Sequence, residues 1–439
     1  MRYVGLDVHK RVVQAAVLSE QGEVLLEERF DCSREALEDF VKRRLEKEDV
    51  IALEATTNTW GVVDVLSPLV KKVVVSNPMK TRAIAEAKVK TDKVDAVVLA
   101  QLLRTDFLPD VWRPNQHTRE LRHLTTRRAS LVSDKTRLKN RLHSVLHQRL
   151  IHCPEKNLFS KKGLAWLKAL SLDAAGRATL DSDLALLDSV EKQLAALQPT
   201  IAAAAWPDER TKLLMSLPGV DVAVAVALLG ALGDISRFPD GDAAASYLGL
   251  APSTYQSADN TYHGHITKQG SAHARWLLVQ AAQHVAKHPG PLGNFFRKLA
   301  ARKSRNVAIV AVARKLVVIA WHMLKKNEPY RYALPASTQS KLSRLRVAAT
   351  HSKRKGGIAK GTPRPKHHGE KLGRPVPSLD GVLASETLPP LSPLPPGEAR
   401  YLQAAKLAAF EKLLHGASRR SKKAPPANSS DSEPISEGS

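Results

Sequence analysis

Short apolar runs, each bounded by charged or turn-forming positions, fill the first part of the chain. RYVGLDVH, VVQAAVLS and EVLLEERF follow one another closely; SREALEDFVKRRL then takes helical spacing, DVIALEAT is strand-like, GVVDVLSPLV is helical and KKVVVSN is strand-like again. Three strands, a helix, a strand, a helix and a strand predict an α/β domain with a mixed sheet. DVIALEAT and KKVVVSN read as buried parallel strands joined by a helical crossover.

From Gln116 the pattern lengthens. Leu124, Leu131, Leu138 and Val145 recur every seven residues, and Leu180, Leu187, Leu194 and Ile201 do so again after an insertion. Two such segments predict an antiparallel helical coiled-coil arm or a coiled-coil dimer contact. Residues 207–328 read as a further, mostly α region. Beyond it, residues 331–439 hold 13 of the 26 prolines, none of the six tryptophans, and 19 basic against eight acidic residues. That composition predicts a basic, Pro-rich, disordered tail with one helix from Glu398 to Leu414. The expected domains are therefore 1–112 (α/β), 113–206 (coiled-coil arm), 207–328 (mostly α) and 329–439 (tail).

Length and charge narrow the class of partner. A chain of 439 residues suggests two or three domains, and 67 Lys plus Arg against 43 Asp plus Glu leave +24, which points to a phosphate-bearing partner, nucleic acid foremost, or an acidic membrane surface. Arg113 to Leu150 alone carries ten Lys or Arg and only two acids, Glu120 and Asp134. Within it Arg127, Arg128, Lys135, Arg137, Lys139 and Arg141 are the candidate phosphate contacts, against the plainer reading of a solvated helix face. Cys32 and Cys153 make neither a disulfide framework nor a zinc set, so a reducing cytoplasm, at the nucleoid, is the expected setting. No signal peptide fits the first residues, and the longest apolar stretch, Val307 to Leu324, is interrupted by Arg314 and Lys315, so no membrane partner is expected.

Four acids stand out against this basic background. Asp7 interrupts one apolar strand and Glu54 another, and a lone buried carboxylate is costly unless its charge is compensated. Asp92 and Asp95, in KVKTDKVDAVVLAQLL, open a helix on one face, about 5 to 6 Å apart at Cβ. Four hard oxygen donors from two strands and one helix suit two magnesium ions about 3.5 to 4 Å apart, the arrangement used in phosphoryl transfer. A nearby basic side chain is the bland alternative for the strand acids, and a helix-dipole role for the helix acids.

A second constellation lies further on. SLPGV followed by VAVAVALLGALGDISRF reads as helix, turn and helix, whose turn at Gly219 can hold a phosphate on backbone amides, unless the glycine merely serves the turn. YLGLAPSTYQSADNTYHGHITKQGSAHARWLLVQAA reads as a polar loop leading into a helix. Its serines, with Lys268 and Arg275, offer a nucleophile and cations for attack on a phosphate, although serines in loops are more often turn formers.

Asp7 in YVGLDVHK, Glu54 in ALEAT, and Asp92 and Asp95 in KTDKVDA resemble the Asp-Glu-Asp-Asp set of the transposases of the insertion sequence 110 family, and VSNP and DAxxLAxLL match its flanks. GLAPS, Ser257, GHITKQG and the Arg275 helix resemble its carboxy-terminal domain. The resemblance spans residues 1 to about 327. It implies an RNase H-like (RuvC-like) amino-terminal fold, with Asp7, Glu54, Asp92 and Asp95 as catalytic Mg2+ ligands and Ser257 as covalent nucleophile. Ser253 is the fallback nucleophile. Where the family places two glycines after the serine, Ala258 and Asp259 stand here. The resemblance further implies a recombinase with a composite active site that acts on element ends and target DNA, guided by a structured bridge RNA and assembled as a dimer or tetramer. Two other readings are a metal-dependent junction nuclease with a structural serine and a non-catalytic nucleic-acid-binding remnant.

Overall fold

The computed structural model describes residues 1–84, 91–257, 260–352, 366–367, 370–371 and 378–405, with Leu407, Phe410 and Leu414. It divides into two compact units, Met1–Pro114 and Asn115–Ser439.

The first unit has the predicted element order. Strands β1 (Tyr3–Val8), β2 (Val12–Leu18) and β3 (Val24–Asp31) are followed by helix α1 (Arg34–Arg44), β4 (Val50–Glu54), α2 (Thr59–Leu66) and β5 (Lys72–Ser76). Two further helices follow, α3 (Pro78–Ile84) and α4 (Asp92–Arg104). The five strands form one sheet in the order β3-β2-β1-β4-β5. β2 runs antiparallel to both its neighbours; β4 and β5 are parallel, as the crossover reading predicts, and β1 is parallel to β4 as well.

Strand alternation sorts β1 between two layers. Val4, Leu6 and Val8 are buried with Leu37, Phe40, Val62 and Leu66 of α1 and α2. Gly5 and Asp7 take the opposite face, because successive strand side chains point to opposite sides. Helix α4 covers that face so closely that a Cβ on Gly5 would lie 1.9 Å from the Ala96 carbonyl oxygen. Ala96 and Ala100 are buried against Ala16 and Leu18 of β2. Small residues on both partners therefore bring the start of α4 down onto the sheet.

The second unit is mostly helical. It comprises α5 (Gln116–His147), α6 (Lys161–Ala169), α7 (Ala174–Ala205), α8 (Glu209–Met215), α9 (Val222–Leu232) and α10 (Gly241–Tyr247), then a ribbon of β6 (Pro252–Ser257) and β7 (Asn260–Ile266). Helices α11 (Ala272–Val285), α12 (Pro291–Ala300), α13 (Arg305–Lys326), α14 (Pro335–Thr350), α15 (Leu379–Ser385) and α16 (Pro396–Ala404) complete it.

Helices α5 and α7 pack antiparallel within the chain: Arg141 pairs with Asp183 and Lys135 with Glu191, while Leu138, Leu142, Val145, Leu180 and Leu187 share one buried cluster. Four of the heptad positions, Leu138, Val145, Leu180 and Leu187, thus pack together within the chain. Among the described helices α13 alone is long and apolar enough to cross a membrane, and its Ala308, Val312, Leu316, Val317 and Ala320 are buried in the core of this unit.

Two expectations are corrected. The polar segment after Leu250 is not a loop but largely two antiparallel paired strands, with Tyr255 opposite Tyr262 and Ser257 opposite Asn260. The region from 329 onward is not wholly a disordered tail. Tyr330, Tyr332, Leu342, Leu345, Leu379, Leu383 and Leu402 are buried in the same cluster as α8, α9, α11 and α13, so residue 328 is no boundary of the core. Composition misled because proline here starts helices: Pro335 and Pro396 sit in the first turns of α14 and α16, where the missing N–H costs nothing.

Candidate active site

Strand order places the first acids. β1 and β4 are paired in parallel up to Leu6 and Leu53, so Asp7 and Glu54 follow side by side at the carboxy-terminal end of adjacent strands, on the face covered by α4. Helix α4 starts there, capped by the Thr91 hydroxyl, which accepts from the Val94 amide, and Asp92 and Asp95 occupy its first turn. Acids in a first turn are favoured by the helix dipole, so the local fold tolerates them without a second role. Their proximity to Asp7 is what points beyond capping.

Asp7 is largely buried, and its Oδ2 lies 3.1 Å from the His9 Nε2; the same nitrogen is 3.4 Å from the Asp92 Oδ1. One ligand atom from each of Asp7, His9 and Asp92 lies within 4.8 Å of the others. Burial raises the Asp7 carboxyl above its ordinary value, and the charges of Asp92 and Asp95 add to the rise, while His9 opposes it. A carboxylate raised in part by two others nearby, with a solvent-reachable imidazole beside it, forms a site whose charge suits a divalent cation. The donor set fits such an ion. Glu54 is half-buried at the end of β4, the strand beside β1, and is not among the three residues whose ligand atoms come within 4.8 Å of one another. His9 was not singled out from the sequence, yet it stands two residues past Asp7, the strand period that puts both on one face.

The second unit holds the serine segment. Ser257 ends β6 opposite Asn260, while its hydroxyl, with Ala258 and Asp259, lies outside the described part of the structure. Ser253, the fallback nucleophile, donates to the His265 carbonyl at 3.3 Å and would collide with a Cβ on Gly264. Lys268 is exposed and takes a left-handed φ of 56° between Gly249 and Gly270. The Arg275 Nη1 donates to the Leu248 and Gln269 carbonyls at 3.0 and 2.6 Å, which ties the segment after the ribbon to the end of α10. Tyr255 and Tyr262, facing each other across the ribbon, are 69% and 70% exposed, an aromatic pair that the polar-loop reading had hidden.

The turn at Gly219 is spoken for by packing. Gly219 has φ of 76°, and a Cβ there would lie 2.3 Å from the Ala281 carbonyl oxygen. The Asp221 carboxylate caps α9 by accepting from the Val224 amide, and Lys341 donates to the Leu217 and Val220 carbonyls. The glycine is thus required by helix packing, whatever else the turn does.

Most of the arm cations have partners in the chain. Arg127 donates to Gln193 at 2.8 Å, Lys135 pairs with Glu191, Arg137 with Asp134, and Arg141 makes a two-pronged contact with buried Asp183. Lys139 sits 4.3 Å above the Phe159 ring, and burial followed by the Lys135 charge holds its pKa down. Arg128 is half-buried beside His273. Trp321 is buried in the core of this unit, with its indole N–H donating to the Phe238 carbonyl.

Residues 4–151 match a family model described as a transposase, of the IS110 DEDD type, and residues 211–297 match that of the transposase IS116/IS110/IS902 family. The putative transposase y4qE of Sinorhizobium fredii is 26% identical over 74% of this chain and 88% of its own. The transposase for insertion sequence element IS1111A of Coxiella burnetii is 24% identical over 55% of this chain and 68% of its own. The pilin gene-inverting protein of Moraxella bovis is 25% identical over 59% of this chain and 74% of its own. One match takes in the carboxylate-bearing α/β unit and the other the helical region with the serine ribbon, together more than half of the chain, and the protein belongs to the IS110 family of transposases.

Proposed function

We propose that the chain is a DNA recombinase that moves an insertion sequence by cutting and rejoining DNA through the Asp7, Glu54, Asp92 and Asp95 centre and a Ser257 nucleophile. The observation that carries the reading is the convergence of Asp7, His9 and Asp92 where the carboxy-terminal end of β1 meets the first turn of α4, which also carries Asp95. Such strand ends are where open α/β sheets expose their chemistry.

Asp7 and Asp92, with Glu54 and Asp95 beside them, would hold divalent cations, Mg2+ being the best match to a mostly carboxylate set. A cation held there neutralises charge on a scissile phosphate and makes an attacking hydroxyl more acidic. His9 orients the Asp7 and Asp92 carboxylates by contacting both. The Ser257 oxygen bonds to phosphorus as the bond to one sugar oxygen breaks; the serine proton departs and the leaving sugar oxygen takes one up. The phosphoserine link keeps the bond energy for rejoining, which fits exchange of strands better than hydrolysis. A relative named as a pilin gene-inverting protein supports this reading, since inversion exchanges strands at defined sites. DNA at the element ends and target, a bridge RNA guide and a dimer or tetramer complete the proposal.

The test is a covalent adduct. Wild-type protein incubated with Mg2+ and labelled element-end DNA should give a species that survives denaturing electrophoresis, and Ser257→Ala should abolish it while DNA affinity stays. An adduct of undiminished yield in that variant would reject the serine, and Ser253→Ala would then be examined.

A further inference from the structure

A cleft of about 530 Å³ opens in the second unit between the turn before α9, helix α11 and helix α14. Its walls combine features that no core needs. Trp276 is 45% exposed there, although tryptophan is usually largely buried. Cations reach it from three elements: Arg128 from α5, Lys287 just after α11, and Arg344 from α14. The acid beside them, Asp221, already spends its carboxylate on capping α9.

One buried donor also lacks an acceptor. His288, 5% exposed, lines the same cleft and accepts from the Gly290 amide on Nδ1, so its proton sits on Nε2. That Nε2 has no partner among the described residues. Burial, then Lys341 and Arg297, lower the ring's pKa to about 4, which keeps it neutral with the N–H in place.

We propose that this cleft binds an unpaired stretch of polynucleotide, with one unstacked base on the Trp276 indole and flanking phosphates on Arg128, Lys287 and Arg344. The partner class rests on the proposed function; the site and the single-stranded preference do not come from it. An indole inside a concave cleft is reached by a base that has left its stack, whereas duplex presents only phosphates and groove edges. Cations on separate elements around one aromatic face match the alternation of phosphate and base along a strand. Arg344 belongs to α14, so part of the sequence that composition assigned to a tail becomes part of the binding surface.

The experiment measures binding of fluorescent oligothymidylate and oligouridylate, and of a duplex of equal length, to the full chain without metal. Trp276→Ala should weaken both single strands by about tenfold, in line with the stacking value of one base, and leave duplex binding nearly unchanged. Trp276→Phe should recover most of the loss. Arg344→Gln should lower the slope of log affinity against log salt by about 0.7, the share of one single-strand phosphate. The tighter of the two homopolymers identifies DNA or RNA as the strand. Unchanged affinity in Trp276→Ala, equal loss on duplex, failure of Trp276→Phe to recover, or displacement by polyglutamate as effective as by oligonucleotide would each overturn the site. If wild type bound no polynucleotide at all, the proposed function itself would fail, which is a distinct result.

Discussion

The Lys341 ammonium donates to the Leu217 carbonyl oxygen at 2.7 Å and, from the same nitrogen, to that of Val220 at 3.0 Å. Ser216, one residue before, accepts from the Tyr330 amide at 2.7 Å. The turn between α8 and α9 is therefore held by groups that come more than a hundred residues later.

Ending the chain after Glu328 should consequently cost the second unit its stability. Tyr330, Tyr332, Leu342 and Leu345 would leave the shared core, each worth about 1.5 to 3 kcal/mol when fully buried, against a total stability of about 5 to 15 kcal/mol for a domain. Size-exclusion chromatography and a thermal melt should find the shortened protein aggregated or without a cooperative transition. A truncated chain that melts like the full one would mean these residues are accessory.

Lys341 should also give the protein a pH-dependent stability. Burial lowers its pKa from 10.5 to about 7 in the folded protein, outweighing the opposing charge of Asp221. Between about 7 and 10.5 the unfolded chain binds a proton that the folded chain has released, so this group's contribution to stability rises with pH across that window. Below it, both states carry the proton and the contribution is at its lowest. A neutral amine keeps donors for both carbonyls. The Tm advantage of wild type over Lys341→Met should therefore widen as pH rises through the window, and an advantage that shrinks would contradict the assignment.

The α/β unit was legible because its signals are local. Each run from RYVGLDVH to KKVVVSN carries its own period, and Asp7 and Glu54 are conspicuous as acids inside apolar strands. What escaped the sequence depends on contacts far apart in the chain. His9 reads as a strand-end residue until α4 brings Asp92 within reach of it. Lys341 reads as one more charge in a basic tail until its nitrogen is found under the α8 to α9 turn. The serine ribbon was missed for another reason: PSTYQS and NTYHGHI are polar on both faces, so no core-facing alternation marks them as strands.

Gly5 sets the distance between sheet and α4, and Gly5→Ala tests how much the carboxylate centre depends on it. The added methyl would meet the Ala96 carbonyl at 1.9 Å, backbone that yields only if α4 moves. Overpacking of this kind costs about 1 to 3 kcal/mol, so the variant should remain folded with a lower Tm. Because α4 carries Asp92 and Asp95, strand cleavage should fall far more than stability predicts, while binding of single-stranded oligonucleotides persists. Full cleavage in a destabilised Gly5→Ala protein would show that the acids tolerate displacement.

Asp7→Asn keeps the shape of the side chain and removes its charge, so it separates chemistry from folding. Asp7 is the most buried acid of the Asp7, His9 and Asp92 group. Loss of its charge should reduce cleavage and adduct formation by on the order of 10³-fold, as removal of a central catalytic group does elsewhere. His9→Ala should cost less, about 10- to 100-fold, the usual effect of losing a residue that orients a ligand, and part of that loss should return at higher Mg2+ or Mn2+. Chelation should stop cleavage by wild type, and added divalent ion should restore it. Should His9→Ala match Asp7→Asn in depth and resist added metal, the imidazole would be acting on the reacting atoms themselves, and its place would shift from positioning to catalysis.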